Sequence, residues 1–120
     1  MTAIVHNIVV EQGATFRLPV AWKNENQTPV DITGYSAAMQ IRQKPDSAQA
    51  LVSLTHTLTA AGQIVLGGAQ GTIEIVIKHT ATSQIPPGDW VYDLELTNPS
   101  GDVTRLIMGS AKVTPEVTKS

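Results

Sequence analysis

Apolar and polar residues alternate along most of this sequence, and turn-forming residues interrupt the alternation about every 8–12 positions. A period of two places successive side chains on opposite faces of a β-strand. Only residues 80–85 allow a single helical turn, and Val, Ile and Thr, which suit strands, supply nearly a third of the chain. The 120 residues therefore predict one all-β domain, a sandwich of seven to eight strands spanning 1–120.

A proline and a turn refine this prediction. Pro19 lies inside an alternating run and cannot donate to a strand ladder, which predicts an edge strand or a bulge there. The turn 98–102 (NPSGD) predicts a hairpin, and pairing Thr97 with Val103 places Glu95 opposite Arg105 as an ion pair. On the same register the residues facing one another are Leu94 and Leu106, Tyr92 and Met108, and Trp90 and Ser110.

The alternation also assigns residues to the interior and to the surface. The residues predicted to form the core are Phe16, Trp22, Tyr35, Met39, Ile75, Trp90, Tyr92, Leu94 and Leu106. Six further apolar residues lie on the opposite face of the hairpin or in the first strand, where they could pack against a neighbouring subunit. These candidate interface residues are Ile4, Ile8, Val10, Val91, Val103 and Ile107. The alternative is that the outer face simply tolerates scattered apolar residues.

Composition excludes several classes of protein. The net charge is -2, from 8 basic and 10 acidic residues with no basic run, which argues against a nucleic-acid partner. The chain has no cysteine, so disulfides and thiolate chemistry are excluded. No apolar run approaches the roughly 20 residues of a membrane helix, so no membrane partner is expected.

No pattern in the sequence indicates catalysis. The three histidines share no metal-ligand spacing. Asp93 and Glu95 lie on one strand face, but Glu95 already has Arg105 as its predicted cross-strand partner, so an ion pair on a solvated face is favoured over an acid–base pair. The glycine-rich segment 67–71 leads into a strand and not into a helix, so it predicts a mobile hairpin turn and not a phosphate loop. We expect no enzyme, no metal, no cofactor and no small-molecule substrate.

Several segments together resemble a known class of protein. Residues 18–42 read LPVAWKNENQTPVDITGYSAAMQIR, residues 85–96 read IPPGDWVYDLEL, and residues 103–118 read VTRLIMGSAKVTPEVT. This order resembles the small immunoglobulin-like β-sandwich proteins of tailed bacteriophage virions. It is similar in particular to the N-terminal virion-anchoring domain of baseplate upper proteins, over roughly residues 14–117.

The resemblance implies an immunoglobulin-like antiparallel β-sandwich without catalytic residues. It also implies a structural protein of the tail, neck or baseplate, made in the cytoplasm of the bacterial host. Such a protein docks in multiple copies on other virion structural proteins and forms a homo-oligomer in the particle. No coiled-coil or fibre-binding region follows the sandwich, so a stand-alone module is expected.

Two alternatives stay open on the sequence. One is a capsid decoration protein of the same fold, and the other is a carbohydrate-binding or host-adhesion module, although the aromatic residues lie in predicted core strands. The terminal segments are expected to contribute to assembly. Residues 1–10 could form an exchanged N-terminal strand, and residues 114–120 a flexible or docking tail.

Overall fold

A computed structural model, which describes residues 3–118, contains nine β-strands and almost no helix, as the alternation of apolar and polar residues predicts. The strands are β1 (Ile4–Val5), β2 (Ile8–Glu11), β3 (Phe16–Ala21), β4 (Ser36–Arg42), β5 (Val52–Thr55), β6 (Gly62–Leu66), β7 (Thr72–Ile77), β8 (Gly88–Thr97) and β9 (Val103–Thr114). Strands account for 50% of the described residues and helix for 6%, which confirms the all-β prediction. The predicted helical turn is present as α1 (His79–Thr82). No helix within residues 3–118 has the length and apolar character of a membrane span.

The strands form two sheets that share one apolar core. A six-stranded sheet has the order β1-β9-β8-β4-β5, with β2 also beside β9, and a three-stranded sheet has the order β3-β7-β6. All pairs are antiparallel except those that β1 and β2 make with β9, which are parallel. The split of the first strand into β1 and β2 raises the count above the seven to eight predicted strands. β3 pairs only with β7, so the prediction that Pro19 lies on an edge strand is confirmed.

The hairpin of β8 and β9 follows the predicted register only near its turn. Thr97 lies opposite Val103 and Glu95 opposite Arg105, but the register then shifts by one residue at Leu94. A β-bulge of this kind sets two residues of one strand against one of the other. Leu106 is the extra residue, and it and Ile107 are both buried.

Because of the bulge, every pair predicted beyond it is wrong. Leu94 lies opposite Ile107, Tyr92 opposite Gly109 and Trp90 opposite Ala111. The predicted ion pair is also wrong in its acidic partner, because Arg105 Nε lies 3.3 Å from Asp93 Oδ2.

The centre of the core is aliphatic and not aromatic. Of the nine predicted core residues, Met39, Ile75, Tyr92, Leu94 and Leu106 are buried, whereas Phe16, Trp22, Tyr35 and Trp90 are only partly buried against the core. The Trp22 and Tyr35 rings meet edge to face, with centroids 6.3 Å apart, and the Trp90 indole N–H donates to the Pro86 carbonyl. Both tryptophans and Tyr35 therefore lie at the periphery of the core, whereas Tyr92 is buried in it.

Both terminal segments are held by the rest of the chain as far as the structure describes them. The strands β1 and β2 pair with β9 of their own chain. At the other end, the Glu116 N–H donates to Gln12 Oε1 at 3.1 Å. Of the segments predicted to dock, residues 1–2 and 119–120 lie outside the described residues.

Candidate docking surface

The six predicted interface residues do not form one surface. Ile8, Val10 and Ile107 are buried in the core, so their prediction as surface residues is wrong. Ile8 and Val10 turn inward because β2 aligns them with the inward-facing Ala111 and Val113 of β9, and Ile107 turns inward because of the bulge. The remaining three are accessible, since Ile4 and Val103 are exposed and Val91 is partly exposed.

A different set of apolar residues is exposed along the first strand. Val5 is 68% exposed and Val9 56% exposed, and both lie on the outer face of the six-stranded sheet. Val5 lies beside Met108, which is also exposed. Ile4 precedes Val5 at the same edge, with its side chain on the inner face beside the buried Ile107. We call Ile4, Val5, Val9 and Met108 the apolar strip. Val5 and Val9 were not predicted at the surface because the alternation was taken to expose the opposite face of the first strand. Met108 was not predicted there because the hairpin register without the bulge set it opposite the core residue Tyr92.

The chain between β1 and β2 is fixed tightly onto β9. The His6 N–H donates to the Met108 carbonyl at 2.8 Å, and the Ser110 N–H donates to Asn7 Oδ1 at 3.0 Å. The His6 carbonyl accepts a hydrogen bond from the Tyr92 hydroxyl. Gly109 permits this approach, since a Cβ there would lie 2.4 Å from the His6 oxygen. The apolar strip is therefore held on a rigid support.

The Tyr92 hydroxyl makes this support sensitive to alkaline pH. Burial raises the pKa of Tyr92 from 10.0 to about 12. A phenol with a raised folded-state pKa stabilises the fold fully below its unfolded pKa, and this contribution is lost as the pH rises from 10 through 12.

Tyr92→Phe is expected to lower the free energy of unfolding by about 1 kcal/mol at pH 7, because it leaves the His6 carbonyl without the phenolic donor. By pH 11 the difference between parent and variant should shrink by about 1 kcal/mol, because only the parent loses the Tyr92 contribution. Urea denaturation of both proteins at the two pH values measures this. A difference that stays constant with pH would show that Tyr92 titrates normally.

A polar groove lies beside the apolar strip on the outer face of the same sheet. Its volume is about 410 Å³, and Gln40, Arg42, Asp93, Arg105 and Met108 are among the residues that line it. Arg42 donates to Gln40 Oε1 at 2.8 and 3.0 Å and to the Ser47 carbonyl at 2.6 Å. Arg105 contacts Asp93, so each guanidinium already has an acceptor within the chain. Two arginines and two carboxylates, Asp93 and Glu95, line the groove, so it has no excess of one sign of charge.

The other candidates from the sequence stay dispersed. Within residues 3–118, no three His, Asp or Glu side chains come close enough to hold a metal ion. The glycine-rich segment forms a 3-10 turn, Gly68–Gln70, whose Gly68 carbonyl accepts from the Ile32 N–H. Asp31 has its pKa lowered by the Thr33 hydroxyl and then by the Thr33 N–H, which is a local turn interaction.

The apolar strip is thus the candidate site that the geometry favours most, because it combines exposed apolar side chains with a fixed backbone at a sheet edge. No protein-family model and no curated protein matches this chain.

Proposed function

We propose that this chain is a non-enzymatic structural protein, an immunoglobulin-like sandwich that docks in several copies on other proteins of a bacteriophage virion. The observation that carries the docking role is the apolar strip on the N-terminal edge of the six-stranded sheet. Exposed apolar residues that lie together on a rigid surface are typical of protein–protein contact sites, whereas single exposed residues are common on any protein.

The strand order supports the immunoglobulin-like part of the proposal. In variable-type immunoglobulin domains, strands G, F, C and C′ form one sheet, and strands B, E and D lie in the other. Here β9-β8-β4-β5 has the first order and β3-β7-β6 the second, in matching chain order. The N-terminal strand runs parallel to β9 at the edge, where it extends the larger sheet.

The virion part of the proposal is supported by the resemblance of residues 14–117 to sandwich domains of tailed phages. In a symmetric particle, a small module is repeated around a ring or over a surface, so weak individual contacts add up. A module of this kind needs a rigid fold and exposed apolar contacts. The chain offers both without a charged cluster of one sign.

The test of the proposal is mass spectrometry of purified virions from the phage whose genome encodes this chain. We expect its peptides in several copies per particle, with the lysate of infected cells as the control for expression. Val5→Glu combined with Met108→Glu should lower incorporation by about tenfold, because two charges would enter the contact. Leu58→Glu, at a residue 61% exposed and outside the strip, is the matched control. A chain that is abundant in the lysate but absent from the virions would refute the proposal.

A further inference from the structure

The four edges of the two sheets differ in their protection against pairing with another strand. On β3, Pro19 interrupts the row of backbone donors. The other two edge strands, β5 and β6, are short, with four and five residues, which limits pairing with another strand. They follow each other in the chain, which passes there from one sheet to the other. The edge from Ile4 to Glu11, formed by β1 and β2, is also short and is interrupted at His6 and Asn7, but it has no proline and no lysine and it exposes two valines. Among residues 3–118, no further strand covers it.

The hydrogen bonds of this edge show which backbone groups are available. In a parallel pair, the peptide groups of alternate residues point to the partner strand and those of the residues between them point away. The N–H groups of His6 and Gln12 donate to the Met108 and Thr114 carbonyls of β9. The even-numbered residues therefore face β9, and the odd-numbered ones face the open side. Of the odd-numbered residues, Glu11 already uses its carbonyl to accept from the Ala14 N–H.

We propose that this edge pairs antiparallel with the same edge of a second copy of the chain, with Asn7 on the two-fold axis. In an antiparallel ladder, residues opposite each other exchange hydrogen bonds only if both point their peptide groups toward the partner. Val5 and Val9 meet that condition. The N–H of Asn7 is not counted, because it belongs to the peptide whose carbonyl, that of His6, is turned to the Tyr92 hydroxyl. The register centred on Asn7 is the one that uses both valines, because it sets Val5 opposite Val9 of the second copy and Val9 opposite Val5.

The side chains favour the same register. The two most exposed valines of the strand meet twice on the outer face, and each pair is flanked by Met108 of one copy and Lys112 of the other. On the other face, Ile4, which is 59% exposed, lies opposite Val10 and continues the apolar core across the boundary. The ionisable residues of the edge are His6 and Glu11. His6 falls opposite Ile8 and Glu11 opposite Ala3, so no like charges meet.

A second copy suits this edge better than an unrelated strand because the edge is complementary to itself. The same residues supply donors, acceptors and apolar side chains to both sides of a two-fold axis, as an isologous contact requires. The resulting sheet would run continuously through both copies. The inference rests on the proposed function, since it names one partner in the multi-copy assembly.

The register makes a charge-swap test possible with the purified full chain. Val5→Lys with Val9→Lys places lysine opposite lysine at both pairs, whereas Val5→Glu with Val9→Lys places glutamate opposite lysine at both. Sedimentation equilibrium should give a mass near twice 12.8 kDa for the parent at high concentration. The double-lysine variant should dissociate at least about tenfold more readily, and the glutamate–lysine variant should recover most of that loss.

Each outcome decides the proposal. Melting curves of the variants are expected to match the parent within a few degrees if they are folded, and Leu58→Lys, changed at a distant exposed position, should self-associate like the parent. A parent that stays monomeric at about 100 µM overturns the proposal, since an edge contact should form in that range. Equal dissociation of both double variants overturns the register centred on Asn7. A monomeric chain that still occurs in virions separates this failure from that of the proposed function, and points to a strand of another virion protein on the edge.

Discussion

Leu94→Ala is expected to lower the free energy of unfolding by about 3–4 kcal/mol. Leu94 lies in β8, at the middle of the larger sheet, and its side chain is fully buried. Met39 of β4 and Ile107 of β9 flank it on the two neighbouring strands, and both are buried. Because strands on both sides fix the backbone, the neighbours cannot close the cavity that alanine would leave. A domain of this size has only about 5–15 kcal/mol of stability in total.

Urea denaturation measures this loss directly, provided that the m-value of the variant equals that of the parent. Leu58→Ala removes the same atoms from a side chain that is 61% exposed, so it should change the free energy of unfolding by less than about 0.5 kcal/mol. A loss below about 1 kcal/mol for Leu94→Ala would mean that the centre of the larger sheet is loosely packed, contrary to the buried contacts described above.

Local patterns predicted the strands well because each pattern reports a local cause. Pro19 marks an edge strand through its missing N–H, and the turn at 98–102 fixes the first pairs of the hairpin. The position of the bulge could not be predicted in this way. Leu106, Ile107 and Met108 are three apolar residues in a row, which shows that the alternation fails but not where the extra residue lies. That position depends on what β8 presents on the facing strand.

The first strand shows why the candidate surface was only partly predictable. Both faces of residues 4–10 carry apolar side chains, so the alternation defines two faces without identifying the buried one. The choice is made by the parallel pairing with β9, which directs Ile8 and Val10 inward and Val9 outward. A pairing between segments about a hundred residues apart leaves no local signal in a single sequence.

Gly109→Val is expected to detach the N-terminal strand from β9 and to lower the free energy of unfolding by about 3–5 kcal/mol. A Cβ at this position would lie 2.4 Å from the His6 oxygen and 2.9 Å from Asn7 Oδ1. Neither group can retreat easily, because the His6 N–H is bonded to Met108 and its carbonyl to Tyr92. The strand must therefore move away as a unit. Ile8 and Val10, which it carries into the core, would then become exposed to water.

Hydrogen exchange at residues 4–11 distinguishes this local detachment from general unfolding. The amides that bond to β9 should lose at least about tenfold protection in Gly109→Val, while those of β4 and β8 keep theirs relative to global stability. Ser110→Val is the matched control. It introduces valine one position along the same strand, at an exposed residue, and keeps the Ser110 N–H that donates to Asn7 Oδ1. Unchanged protection in Gly109→Val would show that the first strand tolerates a Cβ beneath it, and that the close approach at His6 does not hold the apolar strip in place.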